Sequence, residues 1–255
     1  MYFGVPSSVA PGIIKQIVDS NIDSLYDCKY ILEKPIGVNL EDAKHILGEI
    51  DRLINSEKLF ILDHYLAKTN IFKNKINIGL NDITTLKIYM NEKNDVENRL
   101  EYFDKYGLFK DMVQSHVLTL IQFYCPSLFS NINLANIKIT SSRLGQYKGY
   151  SGDKKTETLV EIELVWDYIN ISINTSKKSK DDRKYILCRD INDNTNIKTH
   201  IVRISSSESE YKILFQDSLK NDKSKFLTQS HIFDFWKISD YIWEQIKNNN
   251  IETYG

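Results

Sequence analysis

The first sixty residues alternate between short apolar runs and longer segments in which apolar residues recur at helical spacing. Apolar runs of strand length lie at residues 2–5 and 30–32, and a third begins at Phe60. Between them, Ala10, Ile13, Ile14, Ile17 and Val18 recur every three or four residues, and so do the apolar residues between positions 43 and 54. This spacing predicts two amphipathic helices. Strands that alternate with helices are typical of parallel α/β packing.

The pattern changes after residue 60. Residues 83–90, 158–166, 169–174 and 197–204 predict strands, several with strict alternation of apolar and polar positions, which suits an antiparallel sheet with one solvated face. Asp167 and Tyr168 separate two of these segments and predict a hairpin turn. Residues 209–219 and 230–247 predict helices, and the polar segments 147–157, 176–184 and 190–196 predict loops.

These patterns define the predicted fold class, α+β. A large, mostly antiparallel sheet with helices on one face is preceded by the last βαβα units of a truncated Rossmann-type parallel sheet. The predicted domains are residues 1–60, the remnant of a nucleotide-binding α/β domain, and residues 61–255, the α+β domain.

One candidate site lies where a predicted strand gives way to a helix, at residues 63–68. Asp63 is a suitable helix cap, and His64 and Lys68, four residues apart, would project from one face of the helix beside the Tyr65 hydroxyl. Cationic side chains at a helix N-terminus favour binding of a phosphate dianion. A capped helix with a solvated polar face explains the same pattern, and both interpretations stay open.

A second candidate lies on a helix predicted from residue 109 to residue 124 and ended by Pro126. His116 falls on its apolar stripe with Met112, Leu120 and Phe123. A partly desolvated imidazole is suited to act as a general base near neutral pH when a carboxylate orients its other nitrogen. A hydrogen-bonded core histidine is the alternative.

Weaker signals come from three further charged residues. Lys34 follows a buried-type strand, at the end where ligands gather on open α/β sheets, but lysines there also serve solubility. Asp104 precedes the histidine helix and is equally explained as a turn carboxylate. Lys177 belongs to a basic, serine-rich loop of the kind that is usually solvated.

Composition narrows the classes of partner and chemistry. The 33 Lys and Arg residues nearly balance 34 Asp and Glu, so the net charge of −1 implies no general attraction to nucleic acid or to an anionic membrane. Three isolated cysteines lack the spacing of a zinc site or a disulfide scaffold, and the sequence contains no GxSxG, HExxH, P-loop or GxGxxG motif. We therefore predict no metal site. The longest apolar runs are interrupted by charged residues within about ten residues, too short to span a bilayer, and no basic then apolar signal pattern follows Met1, so we predict a soluble, cytoplasmic protein.

Several segments, taken in order, resemble the glucose-6-phosphate dehydrogenase family. Residues 2–9 resemble its proline-bearing strand and turn, EKPIG at 33–37 resembles EKPFG, and DHYLAK at 63–68 resembles DHYLGK. Residues 102–116 are similar to the family's YYDxxGxxRDMxQNH, while LGQY at 144–147 and FWKI at 235–238 resemble RGQY and AWRI. The resemblance covers nearly the whole chain.

The resemblance implies oxidation of glucose 6-phosphate at C1 to 6-phosphogluconolactone, with hydride transfer to NADP, in the pentose phosphate pathway. It implies that His116 is the base and that Asp63 orients it. The remaining roles are substrate binding by Lys34, His64, Tyr65, Lys68, Glu92, Asp104 and Lys177, and coenzyme binding by Lys34 and Pro35. Ala67, Thr69 and Ser115 depart from the family motifs but are small enough to leave this chemistry intact.

The resemblance also implies that an amino-terminal nucleotide-binding segment is missing, so we expect the chain alone to be a poor dehydrogenase. The expected partners are glucose 6-phosphate, a chain that supplies the nucleotide-binding half, and a second copy bound through the antiparallel sheet; nucleic acid and membrane are not expected. Two other hypotheses remain open. One is a non-catalytic module that binds hexose phosphate or regulates a full-length dehydrogenase, and the other is a remnant without ligand.

Overall fold

The computed structural model describes residues 1–75, 83–192 and 196–255. The chain divides into two compact units, and each is described by itself. The first unit comprises residues 1–67 and 207–237, and the second comprises residues 68–206 and 238–255. Among the described residues, no helix is both long enough and apolar enough to span a bilayer.

Regular elements follow one another along the chain in a mixed order. The strands are β1 (Tyr2–Phe3), β2 (Tyr30–Glu33), β3 (Leu59–Leu62), β4 (Ile83–Asn91), β5 (Ile137–Tyr147), β6 (Leu159–Trp166), β7 (Ile169–Ser176), β8 (Lys184–Asn192), β9 (Asn196–Arg203) and β10 (Ile251–Tyr254). The α-helices are α1 (Ala10–Asp19), α2 (Ile22–Leu25), α3 (Leu40–Leu53), α4 (Thr69–Lys75), α5 (Leu100–Leu108), α6 (Leu118–Tyr124), α7 (Glu210–Leu219) and α8 (Gln229–Ile246). A π-helical segment, Phe109–Val117, lies between α5 and α6.

The first unit contains a parallel three-stranded sheet in the order β1-β2-β3. The strand and helix pattern predicted for its first sixty residues is confirmed. Asn39 caps α3 by accepting a hydrogen bond from the Asp42 backbone N–H at 2.9 Å. Its core includes Ile31, Phe60, Leu62, Ala67, Leu214 and Phe226, so residues from the late segment of the chain complete the packing of the early strands.

The second unit contains a seven-stranded sheet in the order β10-β5-β6-β7-β4-β8-β9. Its pairings β5–β6, β6–β7, β4–β8 and β8–β9 are antiparallel, whereas β4–β7 and β5–β10 are parallel. The predicted hairpin is confirmed, because Trp166 pairs with Ile169 across a turn in which Asp167 has a φ of 53°. The protein is thus α+β, with a mostly antiparallel sheet and a smaller parallel one.

Three strands were not predicted, and one predicted loop is partly wrong. β5 and β8 each carry many polar residues, which hid their strand character, and β10 is only four residues long. The predicted loop at 190–196 contains the end of β8 and the start of β9, where Asp190 pairs with Lys198 and Asn192 with Asn196. Residues 193–195 of that predicted loop lie outside the described residues.

Candidate active site

In the first unit, predicted site residues follow two adjacent parallel strands. Lys34 and Pro35 come directly after β2, and Asp63 comes directly after β3. The Lys34 backbone N–H donates to the Leu62 carbonyl at 3.2 Å, which holds the two strand ends together. The carboxyl ends of parallel strands form the edge at which ligands bind on open α/β sheets. Lys34 is half-buried, Pro35 is exposed, and Asp63 is fully buried.

The predicted helix at residues 63–68 is wrong in form. Residues His64–Ala67 form a 3-10 turn, and α4 begins only at Thr69. Asp63 does cap this turn, because its Oδ1 accepts from the Tyr65 backbone N–H at 2.9 Å and its carbonyl accepts from Leu66 N–H at 3.0 Å. The Lys68 carbonyl instead accepts from Ile71 N–H, in the first turn of α4. His64 and Lys68 therefore do not lie on one helix.

The His64 ring lies in a polar cluster around Glu33 that the sequence did not predict. Its ring stacks on that of Tyr211, with centroids 6.2 Å apart, and its Nδ1 lies 3.9 Å from Glu33 Oε1. The hydroxyl of Tyr211 donates to Glu33 Oε1 at 2.7 Å, and that of Tyr2 donates to Glu33 Oε2. Burial, followed by the hydrogen bond to Glu33, raises the pKa of Tyr211 to about 12. Both phenols are thus neutral donors at physiological pH.

In the second unit, His116 lies in the π-helical segment and not in a regular α-helix as predicted. The segment is buried on nearly all sides, and His116 itself is 4% exposed. The prediction that the helix ends before Pro126 is confirmed, because α6 ends at Tyr124. Wide helical turns of this kind occur frequently at functional sites.

Asp111 is a buried acid of the same π segment that was not among the predicted site residues. Its Oδ1 accepts from the Tyr102 hydroxyl at 3.3 Å and lies 3.9 Å from Arg99 Nη1. Burial and then the charge of Asp111 raise the pKa of Tyr102. The sequence does point to Asp111, because this residue lies inside the family-like motif at residues 102–116, which ends at His116. Asp111 is therefore a further buried acid of the segment that carries His116.

The half-buried Glu92 and the buried Lys177 form an ion pair directly after β4 and β7. The Lys177 ammonium donates to Glu92 Oε2, and the Lys184 ammonium donates to Glu92 Oε1 at 3.1 Å. Burial by itself would raise the pKa of Glu92, but the charge of Lys177, together with Lys184, lowers it to about 2. Lys177 is only 4% exposed, so the prediction of a solvated loop lysine is wrong for its side chain.

This ion pair predicts an acid-dependent loss of stability. Because the pKa of Glu92 is 4.5 in the unfolded chain and about 2 in the folded one, the contribution of the ion pair to the free energy of unfolding is complete above pH 4.5 and is lost progressively as the pH falls from 4.5 to 2. At about 1.4 kcal/mol per unit it amounts to roughly 3 kcal/mol at most. We measure the free energy of unfolding by urea at pH 7 and pH 3. We expect the difference between the two values to be smaller in Lys177→Met than in the unaltered chain, because the main partner of Glu92 is removed.

The matched control for this measurement is Lys180→Met, because Lys180 is an exposed lysine of the same loop. We expect this control to leave the difference in unfolding free energy between the two pH values unchanged. If the difference in unfolding free energy between pH 7 and pH 3 is the same in Lys177→Met and Lys180→Met, the ion pair does not contribute to the pH dependence of stability.

Asp104 lies on α5 with an exposed side chain, and its carboxylate binds the protein itself. Its Oδ1 accepts from the Tyr150 hydroxyl at 2.7 Å, from Asp153 N–H at 2.9 Å and from the Thr156 hydroxyl at 2.9 Å. The Tyr150 hydrogen bond is the main reason that the pKa of Asp104 lies below its usual value. Asp104 therefore fixes the connection between β5 and β6 to the helix that precedes the π segment.

Solved structures with a similar fold include glucose-6-phosphate dehydrogenases and myo-inositol dehydrogenases. A solved glucose-6-phosphate 1-dehydrogenase from Mycobacterium avium superposes with a TM-score of 0.73 at 17% identity, covering 99% of this chain and 71% of its own. A glucose-6-phosphate dehydrogenase solved with its substrate glucose 6-phosphate gives 0.72 at 18% identity, covering 99% and 70%. At these identities the likeness establishes the fold.

Sequence comparison establishes the family. Residues 1–74 match the model of the glucose-6-phosphate dehydrogenase NAD binding domain, and residues 68–144 match the model of its C-terminal domain. The glucose-6-phosphate 1-dehydrogenase of Helicobacter pylori is 26% identical over 89% of this chain, which spans 66% of the length of that relative. The chain belongs to the glucose-6-phosphate dehydrogenase family.

Proposed function

We propose that this chain oxidises glucose 6-phosphate at C1 to 6-phosphogluconolactone, acting as the substrate-binding part of an NADP-dependent dehydrogenase. The observation that carries the proposal is the consecutive match of both family domains to residues 1–144. That range contains most of the candidate site residues, and a protein of the same fold has been solved with glucose 6-phosphate. NADP, when bound, would supply the acceptor for the hydride that leaves C1.

His116 is the base in this proposal, and Asp63 is the carboxylate that orients it. As the C1–H bond breaks, the imidazole takes the proton of the C1 hydroxyl, so that a carbonyl forms at C1. The burial of His116 supports this role, because a desolvated base close to the reacting hydroxyl is not held by competing water. Asp63 is itself fully buried, as suits a group that stabilises the imidazolium by its charge.

Phosphate binding is assigned to His64, Tyr65 and Lys68. The stacking of His64 on Tyr211 supports this assignment, because it holds the imidazole in one orientation. Sugar binding is assigned to Lys34, Glu92, Asp104 and Lys177. The low pKa of Glu92 supports its part, because the carboxylate stays ionised and accepts hydrogen bonds from hydroxyl groups at all physiological pH values.

The coenzyme would be held in part by Lys34 and Pro35, which lie at the carboxyl edge of the parallel sheet. We propose that this sheet, with residues 1–60, is part of a Rossmann-type domain and that a nucleotide-binding chain completes it. In the described part of the chain, β1 has β2 as its only neighbouring strand, and Val9, Leu25 and Tyr26 are exposed. A second copy of the chain is proposed to bind through the seven-stranded sheet.

Glucose 6-phosphate is expected to stabilise the chain against heat. A ligand at 100 times its dissociation constant adds about 2.7 kcal/mol to the free energy of unfolding. We expect this stabilisation to be lost in Lys68→Ala because the ammonium charge that binds the phosphate is removed. The measurement is the melting temperature of each protein with and without millimolar glucose 6-phosphate.

Lys73→Ala is the matched control, because Lys73 is an exposed lysine on α4 only a few residues away. This variant should keep the full stabilisation. Glucose, which lacks the phosphate, should give none at the same concentration. A melting temperature that does not respond to glucose 6-phosphate in the unaltered chain would contradict the proposed phosphate site.

A further inference from the structure

The connection between β5 and β6 is tied to the helical segment that carries His116. Tyr150, Asp153 and Thr156 all donate hydrogen bonds to Asp104 on α5, as described above. Glu157 follows Thr156 directly, two residues before β6 begins at Leu159. Because β6 lies inside the seven-stranded sheet, this connection joins a rigid sheet to the start of the π segment.

Glu157 binds the backbone at the first residues of that segment. Its Oε1 accepts from the Phe109 N–H at 2.9 Å, and its carbonyl oxygen accepts from the Leu108 N–H at 3.1 Å. The first N–H groups of a helix have no acceptor within the helix and need one elsewhere. Glu157 is 4% exposed and Phe109 is 2% exposed, so water does not supply the acceptor at Phe109.

The backbone breaks at Gly107, immediately before these hydrogen bonds. Gly107 has φ 68° and ψ 174°, which separates α5 from the segment that follows. A Cβ atom at Gly107 would lie 2.1 Å from Glu157 Oε1, so the glutamate occupies the space that a side chain would need. Gly107 therefore interrupts the helical backbone one residue before the end of α5, directly ahead of the two hydrogen bonds to Glu157.

We propose that Glu157 is a positioning residue for His116, acting by fixing the start and register of the π segment. The inference rests on the proposed function in taking His116 as the base. A helix that began one residue earlier or later, or relaxed to α-helical turns, would point the imidazole in a different direction. Small misplacements of a catalytic group lower the rate strongly.

The inference takes the hydrogen bond to Phe109 N–H, and not the charge of Glu157, as the contact that holds the segment. Burial raises the pKa of Glu157 to about 7, against the hydrogen bond from Phe109 N–H and the charge of Lys110. The other charged groups around the adjoining cavity are Asp104, Lys105, Asp153 and Lys155, and Trp243 of α8 also lines it. A carboxyl group and a carboxylate both accept at Oε1, and so does the amide of glutamine.

The test compares Glu157→Gln with Glu157→Ala, using Glu161→Gln and Glu161→Ala on β6 as a matched pair. Glu161 also accepts hydrogen bonds, from Asn174 and Arg143, but those partners lie on strands. With glucose 6-phosphate as substrate, Glu157→Ala should lower kcat between about tenfold and a hundredfold with little change in KM. Glu157→Gln should restore most of kcat, and both Glu161 variants should leave it unchanged.

A second readout separates this inference from the proposed function, because it does not need turnover. The chain has five histidines, and the ring signal of His116 in an NMR spectrum is assigned by its loss in His116→Asn. That signal should shift in Glu157→Ala and stay in place in Glu157→Gln. If Glu157→Ala does not fold, Glu157→Asp, whose shorter side chain does not reach Phe109 N–H, replaces it.

Two results would overturn the inference. One is a folded Glu157→Ala or Glu157→Asp in which kcat and the His116 signal are both unchanged. The other is a Glu157→Gln variant whose kcat falls as far as that of Glu157→Ala. That result would show that the charge of Glu157 is required in addition to its hydrogen bond. If the unaltered chain shows no turnover while the His116 signal shifts in Glu157→Ala and stays in place in Glu157→Gln, the proposed function is contradicted and the positioning role of Glu157 stands.

Discussion

Replacement of His116 with asparagine is expected to lower kcat for glucose 6-phosphate oxidation by about 10²- to 10⁴-fold, the range over which a general base contributes. Asparagine keeps a polar side chain of similar size in a position that is 4% exposed, but it does not accept a proton near neutral pH. Substrate binding should survive, because the phosphate and sugar contacts are assigned to other residues. The loss should therefore fall on kcat, with KM nearly unchanged.

The measurement is the initial rate of NADP reduction over a range of glucose 6-phosphate concentrations, for the chain together with any nucleotide-binding partner it requires. His45→Asn is the matched control, because His45 lies on α3 with a side chain that is 67% exposed. A second check is thermal stabilisation by glucose 6-phosphate, which His116→Asn should retain. If His116→Asn retains a wild-type kcat, His116 is not the base.

Local sequence patterns predicted those parts of the fold that depend on local periodicity. The strand and helix order of residues 1–60, the Asn39 cap and the Asp167–Tyr168 turn all follow from spacing and turn chemistry over a few residues, and the structure confirms them. β5 and β8 were not predicted, because they do not show the local periodicity of a strand. Their exposed polar residues break the alternation, and their strand character comes from pairing with neighbours far along the chain.

The helical forms around the candidate site were beyond the reach of periodicity. The spacing of His64 and Lys68 fits an α-helix, but the chain forms a 3-10 turn and then restarts as α4. The spacing around His116 fits an amphipathic α-helix, but the segment is π-helical and buried almost all round. In both places tertiary packing outweighs local preference, as is common where a fold carries a functional site.

Partners distant in sequence were also beyond prediction. Tyr211 donates to Glu33 across 178 positions, and Glu157 accepts from Phe109 N–H across 48. No local pattern marks either contact: Tyr211 was one aromatic residue in a predicted helix, and Glu157 was a polar residue at the end of a predicted loop. Individual candidate residues were identified through the family motifs, whereas the groups that hold them in place required the structure.

Substitution of Gly107 by alanine is expected to destabilise the second unit by several kcal/mol. The conformation at φ 68° and ψ 174° is one that residues with a Cβ rarely adopt, and such strain costs about 1–3 kcal/mol. The new Cβ would also meet Glu157 Oε1 at 2.1 Å. Relief of that clash requires the buried glutamate to move away from Phe109 N–H, which leaves a buried donor without its acceptor at a further cost of about 1–3 kcal/mol.

Urea unfolding followed by tryptophan fluorescence measures this effect, because Trp166 and Trp243 both belong to the second unit. Gly149→Ala is the control for backbone strain alone, since Gly149 has a φ of 86° but no atom within 4 Å of the added Cβ. Combining Gly107→Ala with Glu157→Ala removes the clash, so the double variant should lose less free energy than the sum of the single losses, by about 0.5–3 kcal/mol. Additive losses, or a Gly107→Ala no worse than Gly149→Ala, would show that Glu157 and Gly107 do not share this space, and the positioning of the π segment by Glu157 would lose its geometric basis.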